Sequence, residues 1–321
     1  MKVGILGAGN IAGKMAQTLV LMGTEASAVA SRDLGKARAF ADKFHVKTAY
    51  GSYEELYQSD VDLVYVATPH SHHYAQMRDC LENGKHVLCE KAFTINTAQA
   101  REILELGRRK GLLVAEAIWT RYMPMRKVMD EILASRVVGR PMILTANLDY
   151  VSQTLERLIR PELAGGALLD LGVYTINFAL MCFGSSIKRI ESTFVPFSTG
   201  VDAMSNTTLV YDDDRMAMIH SSMMCRSDRR GMVFGEKGYI EFININNCEG
   251  IRVFDANDRL INSYETPKQL TGFEYQVTAC ERAITTGLTE CPEMPHSEIL
   301  KVMEIMDKIR GVWGVKYPEE T

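Results

Sequence analysis

The first twelve residues restrict the fold more than any other stretch of this chain. Lys2–Leu6 is a short apolar run with the character of a buried strand. It passes directly into Gly7-Ala8-Gly9-Asn10-Ile11-Ala12, and Asn10–Leu21 then repeats apolar residues at helical spacing. In such a turn Gly7 permits the tight bend and Gly9 lets the backbone approach a ligand, while the small Ala12 allows close packing of helix on strand. The helix N-terminus, beginning at Asn10 and Ile11, then faces negative charge such as a pyrophosphate. The glycine spacing alone is a weak signal. After a strand at the chain start, with a second strand following, it is a strong one.

The pattern continues. Ala26–Ser31, Leu63–Ala67, His86–Cys89 and Leu113–Glu116 read as strands, and Leu34–Phe44, Ser52–Gln58, Tyr74–Asn83 and Thr97–Lys110 as helices. Strands alternating with amphipathic helices predict βαβ units, a parallel sheet and right-handed crossovers. After about Trp119 the pattern changes. Pro124–Ser135 and Ala167–Cys182 read as helices, the second one buried, and Pro141–Tyr150 as a strand. Ile187–Val195, Thr207–Tyr211, Met216–Met224, Gly231–Phe234, Tyr239–Phe242 and Arg252–Phe254 follow as strands, before closing helices at Phe273–Thr286 and Ser297–Val312. The expected fold is α/β: a Rossmann dinucleotide-binding domain over residues 1–118, then an α+β domain with a mostly antiparallel open sheet over residues 119–321.

Composition narrows the class. A formal net charge of -4, with 24% charged residues, gives no reason to expect nucleic-acid binding. Seven cysteines, odd in number and with no CxxC pair, suit a reducing compartment, so a cytoplasmic protein is expected. His70, His72 and His73 cluster without other ligands at zinc-site spacing, so no metal is expected. The N-terminal run is too short for a signal segment, and no run is read as membrane-spanning.

The end of the second strand bears on the nucleotide. NAD sites usually carry an acid there for the ribose 2′-OH. Here Ser31 holds the tip and Arg32 follows, with a planar fork suited to a 2′-phosphate. Asp33 serves better as a helix cap than as a ribose ligand, and Arg38 is a weaker phosphate candidate. NADP is expected, with NAD possible. Thr68 and Pro69 end the strand Leu63–Ala67 and Glu90-Lys91 ends His86–Cys89. Ligands sit beyond such carboxyl ends, so Lys91 can point an ammonium group into a cofactor cleft.

Four pieces together resemble the Gfo/Idh/MocA oxidoreductase family: the Gly7–Ala12 turn, Ala67-Thr68-Pro69-His70-Ser71-His72-His73, Cys89-Glu90-Lys91, and Gly165-Gly166-Ala167-Leu168-Leu169-Asp170-Leu171-Gly172-Val173-Tyr174. Glu116-Ala117-Ile118-Trp119-Thr120-Arg121 is similar to the dimeric dihydrodiol dehydrogenase and NADP-xylose dehydrogenase branch. The chain departs from many members at Ala92, where proline is common and often cis, at His70, where asparagine is common, and at Tyr174, where histidine is common. The dihydrodiol dehydrogenase branch also carries tyrosine at the last position.

The resemblance implies hydride transfer between a nicotinamide and a carbinol carbon. Tyr174 is then the acid/base residue, with Lys91 lowering its proton affinity and hydrogen-bonding the substrate oxygen. The other version gives the proton to Lys91 and leaves Tyr174 to position substrate. Asp170, four residues before Tyr174, shares its face of a helix and can orient Lys91 or bind a substrate hydroxyl. By resemblance, Glu90 contacts the nicotinamide-side ribose and His73 lies near the dinucleotide. Trp119 can wall the substrate pocket, Arg121 begins the passage between domains, and Arg157 matches an arginine of the related branch. Converging polar groups suit a sugar, and a tryptophan wall suits a cyclic diol. A dinucleotide-binding sensor is the first rival, which the retention of Lys91 and Tyr174 argues against; an NAD-dependent glycoside-cleaving relative is the second. An exposed antiparallel sheet face predicts a homo-oligomer, with a dimer favoured.

Overall fold

The computed structural model describes residues 1–320. The first part of the chain alternates β1 (Val3–Leu6), α1 (Asn10–Met22), β2 (Ala26–Ala30), α2 (Leu34–Phe44), β3 (Thr48–Tyr50), α3 (Tyr53–Tyr57), β4 (Leu63–Val66), α4 (His70–Glu82), β5 (His86–Cys89), α5 (Thr97–Lys110) and β6 (Val114–Glu116). The next part holds α6 (Pro124–Ser135), β7 (Pro141–Asp149), α7 (Glu156–Ile159), α8 (Val173–Phe183), β8 (Ile187–Pro196), β9 (Asp202–Tyr211), β10 (Met216–Ser222), β11 (Gly231–Gly235), β12 (Gly238–Ile243), β13 (Gly250–Asp255) and β14 (Leu260–Glu265). Helices α9 (Glu274–Thr285) and α10 (His296–Trp313) follow.

The first compact unit comprises Met1–Tyr122 and Gln269–Leu300; the second comprises Met123–Lys268 and the residues from Lys301 on. This corrects the expected division at residue 118, which left α9 with the later domain. The returning segment belongs to the first unit for physical reasons. Thr289 C=O accepts the Val114 N–H at 3.0 Å, and His296 Nε2 lies 2.9 Å from Val114 C=O, so it satisfies the outer backbone of β6. The Thr18 and Thr271 hydroxyls pair at 2.7 Å.

The first unit is built on a six-stranded sheet in the order β3-β2-β1-β4-β5-β6, every pair parallel. Strands β1, β2 and β4 are buried throughout, as the continuous apolar runs predicted. The strand order reverses on either side of β1, which places the glycine turn at the switch point. Helix α4 begins at His70, earlier than the expected Tyr74, because Pro69 sits at its N-cap. Strand β3 is only three residues long and half-buried, too short to show in an apolar pattern.

The second unit is built on an eight-stranded sheet in the order β14-β13-β12-β11-β7-β10-β9-β8. All pairs are antiparallel except β7 with β10. Strand β14 is an exposed edge and lacks the apolar alternation that would have marked it. Helix α8 covers one sheet face, with Val173 through Leu180 all buried. The stretch Pro161–Phe183 is long and apolar enough to cross a membrane by composition, which corrects the sequence reading that no run was; 89% of its apolar 18-residue window is buried as core.

The expected single helix over Ala167–Cys182 is broken. Leu168–Gly172 is a π-turn whose last carbonyl bond runs from Val173 N–H to Leu168 C=O, and α8 begins only after it. Asp202 on β9 caps this turn, its Oδ2 accepting the Leu168 N–H at 2.6 Å. The preceding Gly166 has φ +110, and a Cβ there would lie 2.0 Å from Asp202 Oδ1. Replacing Gly166 by Ala therefore combines left-handed strain with a clash against a buried carboxyl, and costs about 2–5 kcal/mol. Chemical denaturation of the Gly166→Ala variant measures this; an unchanged midpoint would mean that the turn yields without cost.

Candidate active site

In the first unit the glycine turn is built as its residues require. Gly7 has φ +105, and a Cβ there would meet Ala67 C=O at 2.8 Å. Gly9 is different: its φ of -91 suits any residue, and a Cβ would meet nothing within 4 Å. Its place in the turn is thus open towards a ligand. Helix α1 has no side-chain cap and no acid in its first turn, so the amides beginning at Asn10 and Ile11 are left for an external acceptor. Ala12 is fully buried against the strand. These features fit a dinucleotide pyrophosphate. A groove of about 560 Å³ runs from Gly9 and Asn10 past Lys14, Lys36 and Lys43. Lys36 was not singled out from the sequence because one lysine on an exposed helix carries no local signal.

At the end of β2, Ser31 is buried and Arg32 exposed. Asp33 Oδ1 accepts the Lys36 N–H at 3.1 Å and so caps α2, the role its residue type favours. Ser31 Oγ lies 3.3 Å from the Asp33 N–H, which fixes the tip of the strand.

The ends of β4 and β5 are joined by buried polar groups. His73 is fully buried; its Nδ1 lies 2.9 Å from Ala92 C=O and its Nε2 2.9 Å from Thr68 C=O. Burial lowers its pKa below the ordinary histidine value, so the ring is neutral and donates to one of the two carbonyls. His73 thereby joins the loop after β4 to the turn after β5. Thr68 donates to Gln76 Oε1 at 2.5 Å, and Pro69 opens α4 beside it. Buried Glu90 accepts from the Tyr65 hydroxyl, and its other oxygen accepts the Lys91 N–H at 3.2 Å. The Lys91–Ala92 peptide is cis although residue 92 is alanine. Lys91 is half-buried at the carboxyl edge of the sheet, as its position predicted. Tyr65 and Gln76 escaped the sequence because their roles depend on neighbouring strands and turns.

Glu116 closes β6 and is 1% exposed. Neither of its carboxyl oxygens has a hydrogen-bond partner among the described residues. Burial pushes its pKa up to about 8; the nearby Arg121 and the Phe93 backbone pull the other way but do not offset it. Arg121 is 4% exposed and ion-paired with Glu298 at 2.9 Å. The guanidinium is thus tied to the returning segment of the first unit. Trp119 stacks on Phe273 with ring centroids 4.4 Å apart and planes at 11°. Phe273 arrives from the returning segment, far away in sequence.

In the second unit, Asp170 and Tyr174 are both buried, but Asp170 lies in the π-turn and Tyr174 in the first turn of α8. The expected i, i+4 face of a regular helix is therefore replaced by a wider turn. Such π-turns recur at functional sites. Arg157, on α7, meets both Asp170 oxygens at 2.9 and 3.3 Å. Asp170 thus has a cation partner within its own unit. Tyr317 donates from its hydroxyl to Gly165 C=O at 3.1 Å, bracing the approach to the π-turn. The described residues contain no cluster of His, Cys, Asp or Glu suited to a metal ion.

This fold and turn define an oxidoreductase with a dinucleotide-binding Rossmann domain. Residues 1–117 match the oxidoreductase family with an NAD-binding Rossmann fold, and residues 127–241 match the GFO/IDH/MocA C-terminal domain. The chain belongs to the Gfo/Idh/MocA oxidoreductase family. It is 31% identical over 327 residues to trans-1,2-dihydrobenzene-1,2-diol dehydrogenase of Xenopus tropicalis, covering 99% of each chain. It is 32% identical to the Homo sapiens enzyme of that name over 315 residues, 95% of this chain and 93% of the other. The 3-ketoreductase KijD10 of Actinomadura kijaniata, solved with NADP and TDP-benzene, superposes with a TM-score of 0.85 at 25% identity, covering 97% of each chain. UDP-N-acetylglucosamine 3-dehydrogenase GnnA of Acidithiobacillus ferrooxidans shares the fold with a TM-score of 0.81 at 19% identity, again covering 97% of each chain.

The open surroundings of Gly9 generate a sharp expectation. The Gly9→Ala variant folds with unchanged thermal stability, because its backbone and space accept a methyl group. Its dinucleotide affinity falls roughly 10- to 100-fold, or about 1.4–2.8 kcal/mol, because that methyl occupies the approach of the pyrophosphate. Fluorescence titration with NADPH measures the loss; full affinity would show that the ligand does not pass over Gly9.

Proposed function

We propose that this protein is an NADP-dependent dehydrogenase that transfers a hydride between nicotinamide and a carbinol carbon of a sugar or cyclic diol. One observation carries the reaction type. Lys91 is held at the carboxyl edge of a dinucleotide-binding sheet by a turn whose neighbours, Glu90 and Ala92, are themselves fixed by Tyr65 and His73. A bound nicotinamide supplies the two-electron chemistry. The chain's own residues position the carbinol and handle its proton. Tyr174 takes the hydroxyl proton as acid/base, and the Lys91 ammonium hydrogen-bonds the substrate oxygen and favours the phenolate. The buried place of Tyr174 beside a π-turn, rather than on an exposed helix face, supports this assignment. Exposed Arg32 next to Ser31, with Lys36 near Gly9, supports NADP, as does the ketoreductase solved with that cofactor. The flat Trp119–Phe273 stack suits the face of a ring, and the similar dihydrodiol dehydrogenases are named for a cyclic diol. Free cysteines throughout, four of the seven buried, support a cytoplasmic setting.

The test is a titration with NADPH and NADH followed by an absorbance screen of cyclic diols and aldoses. NADPH binds the tighter of the two, and at least one diol or aldose turns over. Lys91→Met and Tyr174→Phe each lower kcat by about 10²–10⁴ while NADPH still binds. Tighter binding of NADH overturns the role of Arg32, and turnover retained in Lys91→Met overturns the mechanism.

The second unit also supports a homodimer formed through its open sheet face. Ile143, Met204, Met218 and Phe234 point to that face and are 37–40% exposed, more apolar surface than a solvated sheet carries. The Phe234→Arg variant should sediment as a monomer, whereas the unaltered protein sediments as a dimer. An unchanged mass distribution in the variant would place the contact elsewhere.

A further inference from the structure

After α10 the chain folds back within the second unit as a short turn, Pro318–Glu320, packed on the turn Pro161–Leu163 that precedes the glycine pair. The ends of most chains are loose unless they are tied down. Here Tyr317 is 1% exposed and held from several directions. The Arg310 guanidinium lies 4.7 Å from the centre of its ring. Its backbone N–H donates to Glu320 Oε2 at 3.0 Å. Arg310 in turn meets the two Glu320 oxygens at 2.6 and 2.9 Å and Asp307 at 2.9 Å. This network fixes the one polar atom at the tip of the ring, the hydroxyl that donates to Gly165 C=O.

The Gly165 carbonyl and the Gly166 N–H belong to a single peptide group, and both are bonded. The carbonyl accepts from Tyr317 at 3.1 Å, and the N–H donates to Leu158 C=O at 2.8 Å. The residues on either side of this peptide have no Cβ, so its plane turns over at less steric cost than one flanked by side chains. Gly166, at φ +110, then leads into Leu168, whose N–H is held by Asp202 at 2.6 Å. The π-turn with Asp170 and the first turn of α8 with Tyr174 follow at once. Rotating the Gly165–Gly166 plane breaks both of its bonds and changes the direction in which the chain enters that turn. The Leu158 bond forms within the same loop, whereas the Tyr317 bond comes from 152 residues away.

We propose that Tyr317 is a positioning residue whose hydroxyl latches the Gly165–Gly166 peptide in the orientation that sets Asp170 and Tyr174 for the reaction. The end of the chain thus acts on the chemistry through the π-turn. The catalytic consequence rests on the role of Tyr174 proposed above; the latch itself does not.

Tyr317→Phe keeps the ring under Arg310 and removes only the hydroxyl. In hydrogen exchange, the amides from Gly166 to Tyr174 of this variant exchange roughly 5- to 10-fold faster, the contribution of one buried hydrogen bond, and this rise exceeds any in Met216–Ser222 of β10. Glu320→Ala frees the Tyr317 backbone without altering the hydroxyl or Gly165, and it speeds exchange in the same segment. An unchanged rate there in both variants, or an equal rise in β10, overturns the latch. This measurement needs no turnover.

The second test reads catalysis. In Tyr317→Phe, kcat falls roughly 5- to 10-fold while NADPH affinity is unchanged, since the glycine turn that binds it lies in the first unit. In a Tyr174→Phe background the same substitution causes no further fall, because the group it positions is already gone. Equal losses in the two backgrounds, or none in either, overturn the positioning role. An unaltered protein that turns over no diol or aldose overturns the proposed reaction instead, and the exchange measurement then decides the latch alone.

Discussion

Everything in the nucleotide-binding unit depends on how its parallel sheet ends. Strands β1 and β4 are buried along their length and β5 at its carboxyl end, so water cannot satisfy the polar groups where the chain leaves the sheet there. Each must find a partner within the protein. The Tyr65 hydroxyl meets Glu90, and the His73 ring bridges Thr68 and Ala92. These bonds join the loop after β4 to the turn after β5. They hold Lys91 at the edge of the sheet through the backbone of its own turn. Glu116 is the exception on the same edge: its carboxyl is buried with no hydrogen-bond partner. An unsatisfied acid among satisfied neighbours is the kind of local inconsistency that proteins retain at functional sites.

The second unit solves a different problem. Its core helix is apolar enough to be covered on every side, and yet it must carry Asp170 and Tyr174. The π-turn allows this by widening the helix before α8 begins. Asp202 holds the Leu168 amide, Arg157 meets Asp170, and Tyr317 holds the Gly165 carbonyl. Gly165 and Gly166 are demanded by this packing. A Cβ on Gly165 would lie 2.4 Å from Leu158 C=O, and one on Gly166 would overlap Asp202. The glycine pair belongs to the architecture of the turn, whereas Gly9 in the first unit has empty space around it. Gly7 shares the steric reason of the later pair, so among these Gly9 alone is a glycine that its own surroundings do not demand.

Much of this fold was legible because apolar periodicity and glycine turns are local. The strands of the first sheet, the capping role of Asp33 and the edge position of Lys91 follow from residue type and spacing. The failures have physical causes. Strands β3 and β14 lie at sheet edges, where burial leaves little pattern. Helix α4 starts at His70 because a proline can occupy an N-cap, a boundary that polar histidines obscure. The Arg121 ion pair could not be read locally because its partner Glu298 lies in a segment that returns much later. Phe273 and Tyr65 were invisible for the same reason.

The sequence by itself determined the class of the molecule: a dinucleotide-binding sheet first, a largely antiparallel sheet second, and a lysine at the edge of the first. Those properties rest on interactions between residues a few positions apart, which spacing encodes. Only the tertiary structure decided which polar groups are used up and which remain. Asp170 proved to be engaged by Arg157, His73 by two carbonyls and Arg121 by Glu298, while Glu116 stayed unmatched. Pairing and desolvation depend on which distant segments are packed together, and no local pattern of residues carries that information.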